Sequence, residues 1–318
     1  MRTALVWLAL ALAWLSPPAV AQPDLSRRAV NTVADTGAPG YRFEQFRLSS
    51  ADGQRQYRVR VALPTREAPA QGFPVAYLLD GNAALMETDA ALLARLADAP
   101  RPPVIAYIAY DNDLRIDPDK RAFDYTPRRP GGDDGQRDAA GGRRNGGADA
   151  FLALVEGHIA PRVEAMARID PSTRALWGHS YGGVFVLHAL FARPQAFDVY
   201  AAADPSLWWG NGRLLQEEVA MTLDVAQRPR VQLWVGEGAP RDDARKPPPG
   251  RDPADVQAMR DARRSVPPDA TARMADRLRE RGLPVTFTTL PGLSHGQTLG
   301  ASLPPLLEDL SGLTETHR

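Results

Sequence analysis

The sequence GHSYG at 178–182 lies between a short, mainly apolar stretch, residues 173–177, and an apolar run, residues 183–191. A G-x-S-x-G sequence between a strand and a helix is typical of a nucleophile elbow, a sharp turn that raises a serine hydroxyl above the edge of a sheet. The flanking glycines let the backbone pass through that turn. A short strand that is mainly apolar, without strict alternation, is typical of a parallel sheet covered by helices on both faces. The sequence therefore predicts an α/β fold in which Ser180 is a nucleophile.

Strand and helix patterns alternate along the rest of the chain. Two segments of alternating apolar and polar residues, 41–49 and 56–63, flank Asp52-Gly53 and predict an antiparallel hairpin. Further strands are predicted at 73–80, 104–110, 173–177, 197–203, 230–236 and 284–290. Helices are predicted at 83–97, 148–166 with a break at Pro161, 183–191, 213–223, 270–281 and 299–310. A hairpin followed by β-α units predicts a mostly parallel sheet of eight strands, helices on both faces, and the elbow on the fifth strand.

The N-terminus has the pattern of a secretory signal peptide. Arg2 precedes an apolar run, residues 4–15, and an Ala-x-Ala sequence ends at Ala21. The apolar run is too short to span a bilayer comfortably. We therefore expect cleavage after Ala21, export to the periplasm, and a single catalytic domain over residues 22–318. No second long apolar stretch follows, so we expect no transmembrane segment in the mature chain.

The composition argues against several classes of protein. The chain has no cysteine, so an exported form is held together by its core without disulfides. Basic and acidic side chains number 38 each, which gives no argument for a nucleic-acid partner. No cluster of His and Asp has the spacing of metal ligands, so we expect no metal and no cofactor.

Two segments interrupt the β-α pattern. Residues 127–147 are rich in Gly and Arg, and residues 238–268 are rich in Pro, Arg and Asp. Both are interpreted as long loops, and each follows a strand at the sheet edge where α/β proteins bind ligands. They are either walls of a substrate pocket or surface excursions.

The base that activates Ser180 should come late in the chain, because a serine hydroxyl is a weak nucleophile until a base accepts its proton. In folds with such an elbow the chain order is nucleophile, acid, histidine. Two histidines follow the last predicted strand: His317 lies in the C-terminal tail, and His295 lies in a short loop bounded by Gly292 and Gly296, where the base is expected. His179 and His188 are interpreted as neighbours of the elbow and of the core.

Several carboxylates could be the acid that orients the imidazole. Glu237, after the seventh predicted strand, is the first candidate. Asp242 and Asp243 are next in the same loop, and Asp204, after the sixth strand, is another placement. A Ser–His dyad without an acid is a further alternative.

An ester substrate also needs donors for its oxyanion. One should be the backbone N–H of Tyr181, directly after the nucleophile. The other should come from the loop after the third strand, where Asn82 is the best candidate.

Together these segments resemble the putative-esterase family of α/β hydrolases and, within it, the siderophore esterases. The resemblance covers about residues 41–310 and rests on LDGN at 79–82, RAFDYTP at 121–127, GHSYGG at 178–183, PSLWW at 205–209 and GLSHG at 292–296. The R-x-x-D-Y-T-P and P-S-x-W-W sequences are more specific than G-x-S-x-G. Three features depart from the family: Asp204 stands where a serine is usual, the segment after Glu237 is longer and richer in Pro, and the loop 127–147 is unusually rich in Arg and Gly.

The resemblance implies an α/β-hydrolase fold and hydrolysis of the ester bonds of catecholate siderophores, ferric or iron-free. Ser180 would be the nucleophile and His295 the base. Candidate contacts to the anionic catecholate are Arg121, Arg128 and Arg129, and candidate contacts to its rings are Trp208 and Trp209.

Other functions fit the same residues. A serine esterase or acyltransferase on a carbohydrate ester or a thioester would use the same nucleophile and base. A serine peptidase is less expected, since no additional domain that would gate peptides is evident. A non-catalytic binding protein on a hydrolase scaffold is the alternative of a different class, and the intact pair of Ser180 and His295 argues against it.

Overall fold

The apolar segments predicted as strands lie side by side in one sheet. The computed structural model describes residues 27–129, 131, 137, 142–222, 228–238 and 253–313. The strands are β1 Tyr41–Ser49, β2 Gln56–Pro64, β3 Phe73–Leu78, β4 Val104–Tyr110, β5 Ile169–His179, β6 Val199–Ala203, β7 Arg230–Gly236 and β8 Val285–Leu290. All the predicted strands are present. The predicted signal peptide, Asp242 and Asp243 lie outside the described residues.

The order of the strands is β1-β2-β4-β3-β5-β6-β7-β8. β2 pairs antiparallel with β1 and with β4, and the remaining pairs are parallel. The prediction of a mostly parallel eight-stranded sheet is confirmed, and the elbow follows the fifth strand as expected. Because the parallel strands all end at one edge, residues after β3, β5, β6, β7 and β8 lie along the same side of the molecule.

Helices cover both faces of the sheet. They are α1 Val33–Thr36, α2 Gly81–Glu87, α3 Ala90–Asp98, α4 Pro118–Asp124, α5 Ala148–Leu154, α6 Ala160–Glu164, α7 Tyr181–Ala192, α8 Arg213–Ala220, α9 Pro253–Arg264, α10 Ala270–Glu280 and α11 Thr298–Ser311. One apolar cluster packs α5, α6, α7, α8 and α10 on one face. A second packs α1, α2, α3 and α11 on the other. Neighbouring residues of β5 alternate between the two clusters: Leu176 joins the first, and Ala175 and Trp177 join the second.

Two predicted helices are divided in the structure. The helix predicted at 83–97 is α2 followed by α3, because Asp89 begins a new helix by accepting a hydrogen bond from the Leu92 amide at 2.7 Å. The helix at 148–166 contains a turn of π-helix, Val155–Ile159, between α5 and α6. Pro161 lies in the first turn of α6, directly after the π-helical turn.

The interpretation of 238–268 as a loop is wrong over residues 253–264, which form α9. The helix α9 is amphipathic, but its many charged residues give the segment the composition of a loop. It begins with Pro253, and the start of a helix is a favoured position for proline. The described residues of 127–147 contain no helix or strand before α5 begins, which agrees with a loop.

Among the described residues, no helix is both long enough and apolar enough to cross a membrane.

Candidate active site

Ser180 stands at the corner between β5 and α7 in a backbone conformation that serine seldom adopts, with φ 60° and ψ −111°. Its amide donates to the carbonyl of Ala203 at 2.9 Å, which ties the corner to the end of β6. A Cβ on Gly178 would lie 2.4 Å from the backbone of Gly182, so no larger residue fits there. The predicted elbow geometry is therefore present, and it leaves Ser180 half-buried at the sheet edge.

The structure brings three polar side chains into a row at this edge. His295 Nε2 lies 3.0 Å from Ser180 Oγ. His295 Nδ1 lies 3.2 Å from Asp204 Oδ2. A carboxylate only accepts, so Nδ1 carries the proton and Nε2 is left as the acceptor for the serine hydroxyl. This is the arrangement of a nucleophile, a base and an orienting acid.

Glu237 does not occupy the acid position, which corrects the first choice made from sequence. Its side chain is exposed, and the position beside His295 Nδ1 is taken by Asp204. The reason is the strand order, because β6 lies directly beside β5 and β7 is one strand further away. The loop that carries His295 passes over the end of β7, where a Cβ on Gly236 or Gly238 would lie within 2.7 Å of Leu293 O.

The backbone of His295 is held from two sides. His179 Nε2 lies 2.7 Å from the carbonyl oxygen of His295 and donates to it, since a carbonyl only accepts. Thr298 Oγ1 donates to the same oxygen at 2.7 Å. The rings of His179 and His295 lie 4.7 Å apart. Burial, with the neighbouring His295, lowers the pKa of His179 well below its ordinary value, so His179 is neutral.

Ser206 is a second hydroxyl beside the nucleophile that the sequence analysis did not single out. Its Oγ lies 3.1 Å from Ser180 Oγ, and its amide donates to the Ser180 carbonyl at 3.2 Å. The residue is 2% exposed. Ser206 belongs to the PSLWW segment, and the specificity of that segment was the feature of the sequence that could have identified it.

Arg121 is not an exposed cation facing solvent, as the predicted contact with an anionic substrate suggested. It is buried in α4, and its Nε and Nη2 donate to the carboxylate of Asp80 at 2.8 to 3.2 Å. Nη2 also donates to the His179 carbonyl at 3.1 Å. Burial alone would lower the pKa of Arg121, but Asp80 outweighs that effect and raises it. A permanent positive charge therefore lies against the residue before the nucleophile.

The two residues expected to supply oxyanion donors lie on neighbouring elements. Tyr181 is the first residue of α7, and Asn82 is the second residue of α2, where amides have no carbonyl partner within the helix. The side-chain amide of Asn82 is already used, since it donates to the carbonyls of Asn112 and Leu114 at 2.8 and 2.9 Å. A Cβ on Gly182 would lie 3.6 Å from Asp80 Oδ2, so the starts of the two helices are close to one another.

The two tryptophans differ in their surroundings. Trp209 is 3% exposed and belongs to the core, so it is not available to a substrate ring, contrary to prediction. Trp208 is half-buried, and its ring lies 6.0 Å from that of Tyr181. The guanidinium of Arg263, on α9, lies 5.4 Å from the Trp208 ring. The missed helix α9 therefore contributes to the surroundings of the nucleophile.

The arginines of the Gly-rich segment lie at the surface. Arg128 is exposed and packs beside Gly146, and Arg129 is half-buried and donates to the carbonyl of Arg137 at 2.8 Å.

Backbone strain is concentrated at the same edge. Asp80, Ser180 and Asp204 follow β3, β5 and β6, and they have φ values of 48°, 60° and 45°. Positive φ in residues other than glycine costs about 1 kcal/mol or more and is found where the structure needs a particular side-chain direction. In the described part of the chain, no group of three or more His, Asp or Glu could hold a metal ion.

Comparison with known proteins identifies the family and the fold. A profile of the family described as "Putative esterase" matches residues 50–271. The Apo-salmochelin esterase of Escherichia coli O6:H1 is 34% identical over 295 residues, covering 92% of this chain and 86% of that protein. The Siderophore triacetylfusarinine C esterase of Aspergillus fumigatus is 35% identical over 206 residues, covering 62% and 67%. The solved structure of Enterobactin and Salmochelin Hydrolase IroE has a TM-score of 0.67 and 33% identity, covering 88% of this chain and 99% of its own. The predicted α/β-hydrolase fold is confirmed.

Proposed function

This chain belongs to the Putative esterase family, and we propose that it hydrolyses the ester bonds of a catecholate siderophore through Ser180, His295 and Asp204. The observation that carries the proposal is the row of these three side chains, with 3.0 Å between Ser180 Oγ and His295 Nε2 and 3.2 Å between His295 Nδ1 and Asp204 Oδ2. The substrate class is supported by the name of the Escherichia coli relative, which matches this chain over 92% of its length.

The first half of the reaction transfers the acyl group to the enzyme. Ser180 Oγ attacks the ester carbon while its proton passes to His295 Nε2, and the carbonyl electron pair moves onto the substrate oxygen. The Tyr181 amide, together with that of Asn82, donates to this oxyanion. The imidazolium, stabilised by Asp204, then gives its proton to the departing alcohol.

The second half releases the acid. Water gives a proton to His295 Nε2 and attacks the acyl carbon, and the tetrahedral intermediate expels Ser180 Oγ, which takes the proton back. For a cyclic siderophore made of several esters, each cycle opens one ester bond and leaves one hydroxyl and one carboxylate on the product.

The surroundings of the nucleophile suit a flat, anionic acyl group. Trp208 offers a half-buried indole beside Tyr181, and Arg263 brings a positive charge to its ring. The exposed Arg128 is a further candidate contact for the catecholate, iron-loaded or iron-free. Export through the N-terminal signal peptide would place the enzyme in the periplasm, where imported siderophores arrive.

The test compares hydrolysis of enterobactin, with and without iron, with hydrolysis of p-nitrophenyl butyrate. Ser180→Ala and His295→Ala should each lower kcat at least about a thousandfold, since the nucleophile and base act as a unit. His158→Ala, which removes an exposed histidine from the π-helical turn, is the matched control and should keep full activity.

The proposal is supported if the trilactone ring of enterobactin is cleaved much faster than p-nitrophenyl butyrate. This cleavage should be lost in the Ser180 and His295 variants. Rapid cleavage of the simple ester with an inert trilactone would move the substrate to another acyl class. Turnover by Ser180→Ala at a rate near that of the wild type would rule out this mechanism.

A further inference from the structure

The hydroxyl of Ser206 lies within hydrogen-bonding distance of the nucleophile, and it takes part in none of the proton transfers of the proposed reaction. It stands in the turn after β6, 2% exposed, with Oγ at 3.1 Å from Ser180 Oγ. Its backbone amide donates to the Ser180 carbonyl, so the turn and the elbow are fixed to one another independently of the hydroxyl. The side-chain contact is therefore additional to the contact that sets the backbone.

The direction of this hydrogen bond follows from counting protons. Asp204 accepts from His295 Nδ1, so His295 Nε2 has no proton and must accept from Ser180 Oγ. The one proton of Ser180 is thereby used. The bond between the two hydroxyls can then form in one direction only, with Ser206 donating to Ser180 Oγ.

We propose that Ser206 is a catalytic residue, whose hydroxyl donates to the reacting oxygen of Ser180 throughout the cycle. This inference rests on the proposed function, because it concerns the same nucleophile. The donated bond fixes the Ser180 hydroxyl in the rotamer that directs its proton to His295. It also stabilises negative charge on Ser180 Oγ, which develops when proton transfer runs ahead of bond formation to carbon.

This role of Ser206 does not change which bonds form and which bonds break in the reaction. In acylation, Ser180 Oγ gains a bond to the acyl carbon, its proton passes to His295, and the carbonyl electron pair moves to the substrate oxygen. In deacylation, the bond between Ser180 Oγ and the acyl carbon breaks, and Oγ recovers a proton from His295. The proton of Ser206 stays on Ser206 in both halves, and its hydrogen bond lowers the charge on the oxygen that attacks and then leaves.

The test is Ser206→Ala, measured by kcat and KM on the best ester substrate and by the rate constant for modification of Ser180 by diisopropyl fluorophosphate. Loss of one neutral hydrogen bond to a reacting oxygen should lower kcat about tenfold with little change in KM. Modification of Ser180 should slow by a similar factor, because it requires the same attack without the siderophore. If Ser206 only stabilised the fold, Ser206→Ala would not lower kcat at an unchanged KM while keeping the melting temperature of the wild type.

Ser311→Ala is the matched control. Ser311 is also fully buried, and its hydroxyl makes one hydrogen bond, to the carbonyl of Glu308 at 2.8 Å, in the last turn of α11. It should keep the wild-type kcat. Ser206→Cys, which retains a weak donor, should fall between Ser206→Ala and the wild type, and it carries the test if the alanine variant does not fold.

The outcomes separate this inference from the proposed function. A tenfold loss of kcat in Ser206→Ala, with Ser180→Ala inactive, supports both. Wild-type kcat in Ser206→Ala, or in Ser206→Cys should that variant carry the test, overturns the role of Ser206 and leaves the proposed function intact. Activity in Ser180→Ala removes both.

Discussion

Among single residues, Asp204 is distinguished by its backbone conformation and by its contact with His295. Its backbone has φ 45°, which few residues other than glycine adopt, and its carboxylate lies 3.2 Å from His295 Nδ1. The Asp204 amide donates to the carbonyl of Trp234 at 2.7 Å, so β7 holds this conformation in place. The strained backbone directs the carboxylate toward the histidine loop and away from the strand that it follows.

Asp204→Asn should therefore lower kcat by about two orders of magnitude or more. An amide can present its NH₂ group to His295 Nδ1, which favours the tautomer that cannot accept the Ser180 proton. Glu237→Gln makes the same chemical change on an exposed side chain and should leave kcat within about twofold of the wild type. Steady-state kinetics of the two variants decide the matter, and a large loss at Glu237 with none at Asp204 would contradict the assignment.

His179→Phe tests how precisely the base is held. The ring of Phe fills similar space but cannot donate to the His295 carbonyl, which leaves Thr298 as its remaining side-chain donor. We expect kcat to fall about tenfold with KM little changed, because the base moves and the substrate pocket does not. His179→Gln, which can donate from its amide, should recover part of the loss. Equal kcat in the Phe variant and the wild type would show that Thr298 alone holds the loop.

At the scale of elements, α7 is fixed to its neighbours by a buried histidine that takes no part in the reaction. His188 is 6% exposed, with Nδ1 at 2.8 Å from Glu217 of α8 and Nε2 at 3.1 Å from Asp149 of α5. Burial would lower the pKa of His188, but the hydrogen bonds to Asp149 and Glu217 outweigh it and raise the pKa to about 9. A protonated imidazole thus joins the helix behind the elbow to both neighbours.

Stability should therefore depend on pH in the alkaline range. Because the pKa in the folded protein, about 9, is above the ordinary 6.5, the folded state binds the proton more tightly. The stabilisation is fully present below about pH 6.5 and is lost as the pH rises through 9, at a cost on the order of 2 kcal/mol after allowing for screening at the exposed Asp149. Urea unfolding at pH 6, 8 and 10 measures this, and His188→Gln should remove most of the slope. An unchanged slope in that variant would assign the effect to other groups.

The ion pair between α4 and the end of β3 supports the site in a similar way. The side chains of Asp80 and Arg121 are 3% and 10% exposed. Breaking their contact would therefore leave two charged groups buried away from water. Arg121→Lys loses the two-pronged contact and should lower the free energy of unfolding by about 3 kcal/mol, together with kcat. Arg128→Lys is the matched control at an exposed position and should change stability by less than about 0.5 kcal/mol. Similar melting temperatures for the two variants would contradict a structural role for the pair.

At the scale of the whole molecule, the sequence predicts those features that depend on local pattern and chain order. Ser180 and His295 could be proposed in this way, because the elbow is a contiguous motif and His295 lies in a short Gly-bounded loop after the last strand. The choice between Glu237 and Asp204 depends on which strand lies beside β5, and periodicity does not contain that information. Ser206 reaches Ser180 only because the turn after β6 meets the elbow in the folded chain. The helix α9 is local, but its charged composition resembles that of a loop.

Residues 1–21 have the pattern of a secretory signal peptide, which predicts export and cleavage. When residues 1–318 are expressed in a Gram-negative host, the protein recovered from the periplasmic extract should begin at Gln22, because signal peptidase requires small residues such as Ala19 and Ala21 before the cleaved bond. Ala21→Arg should block processing and leave an uncleaved, membrane-associated chain. Ala11→Leu, a conservative change within the apolar run, should be processed normally. Intact-mass spectrometry of the extracts distinguishes these forms. A cytoplasmic protein that retains its N-terminal segment would contradict export, and would require that the siderophore reach the enzyme after it crosses the inner membrane.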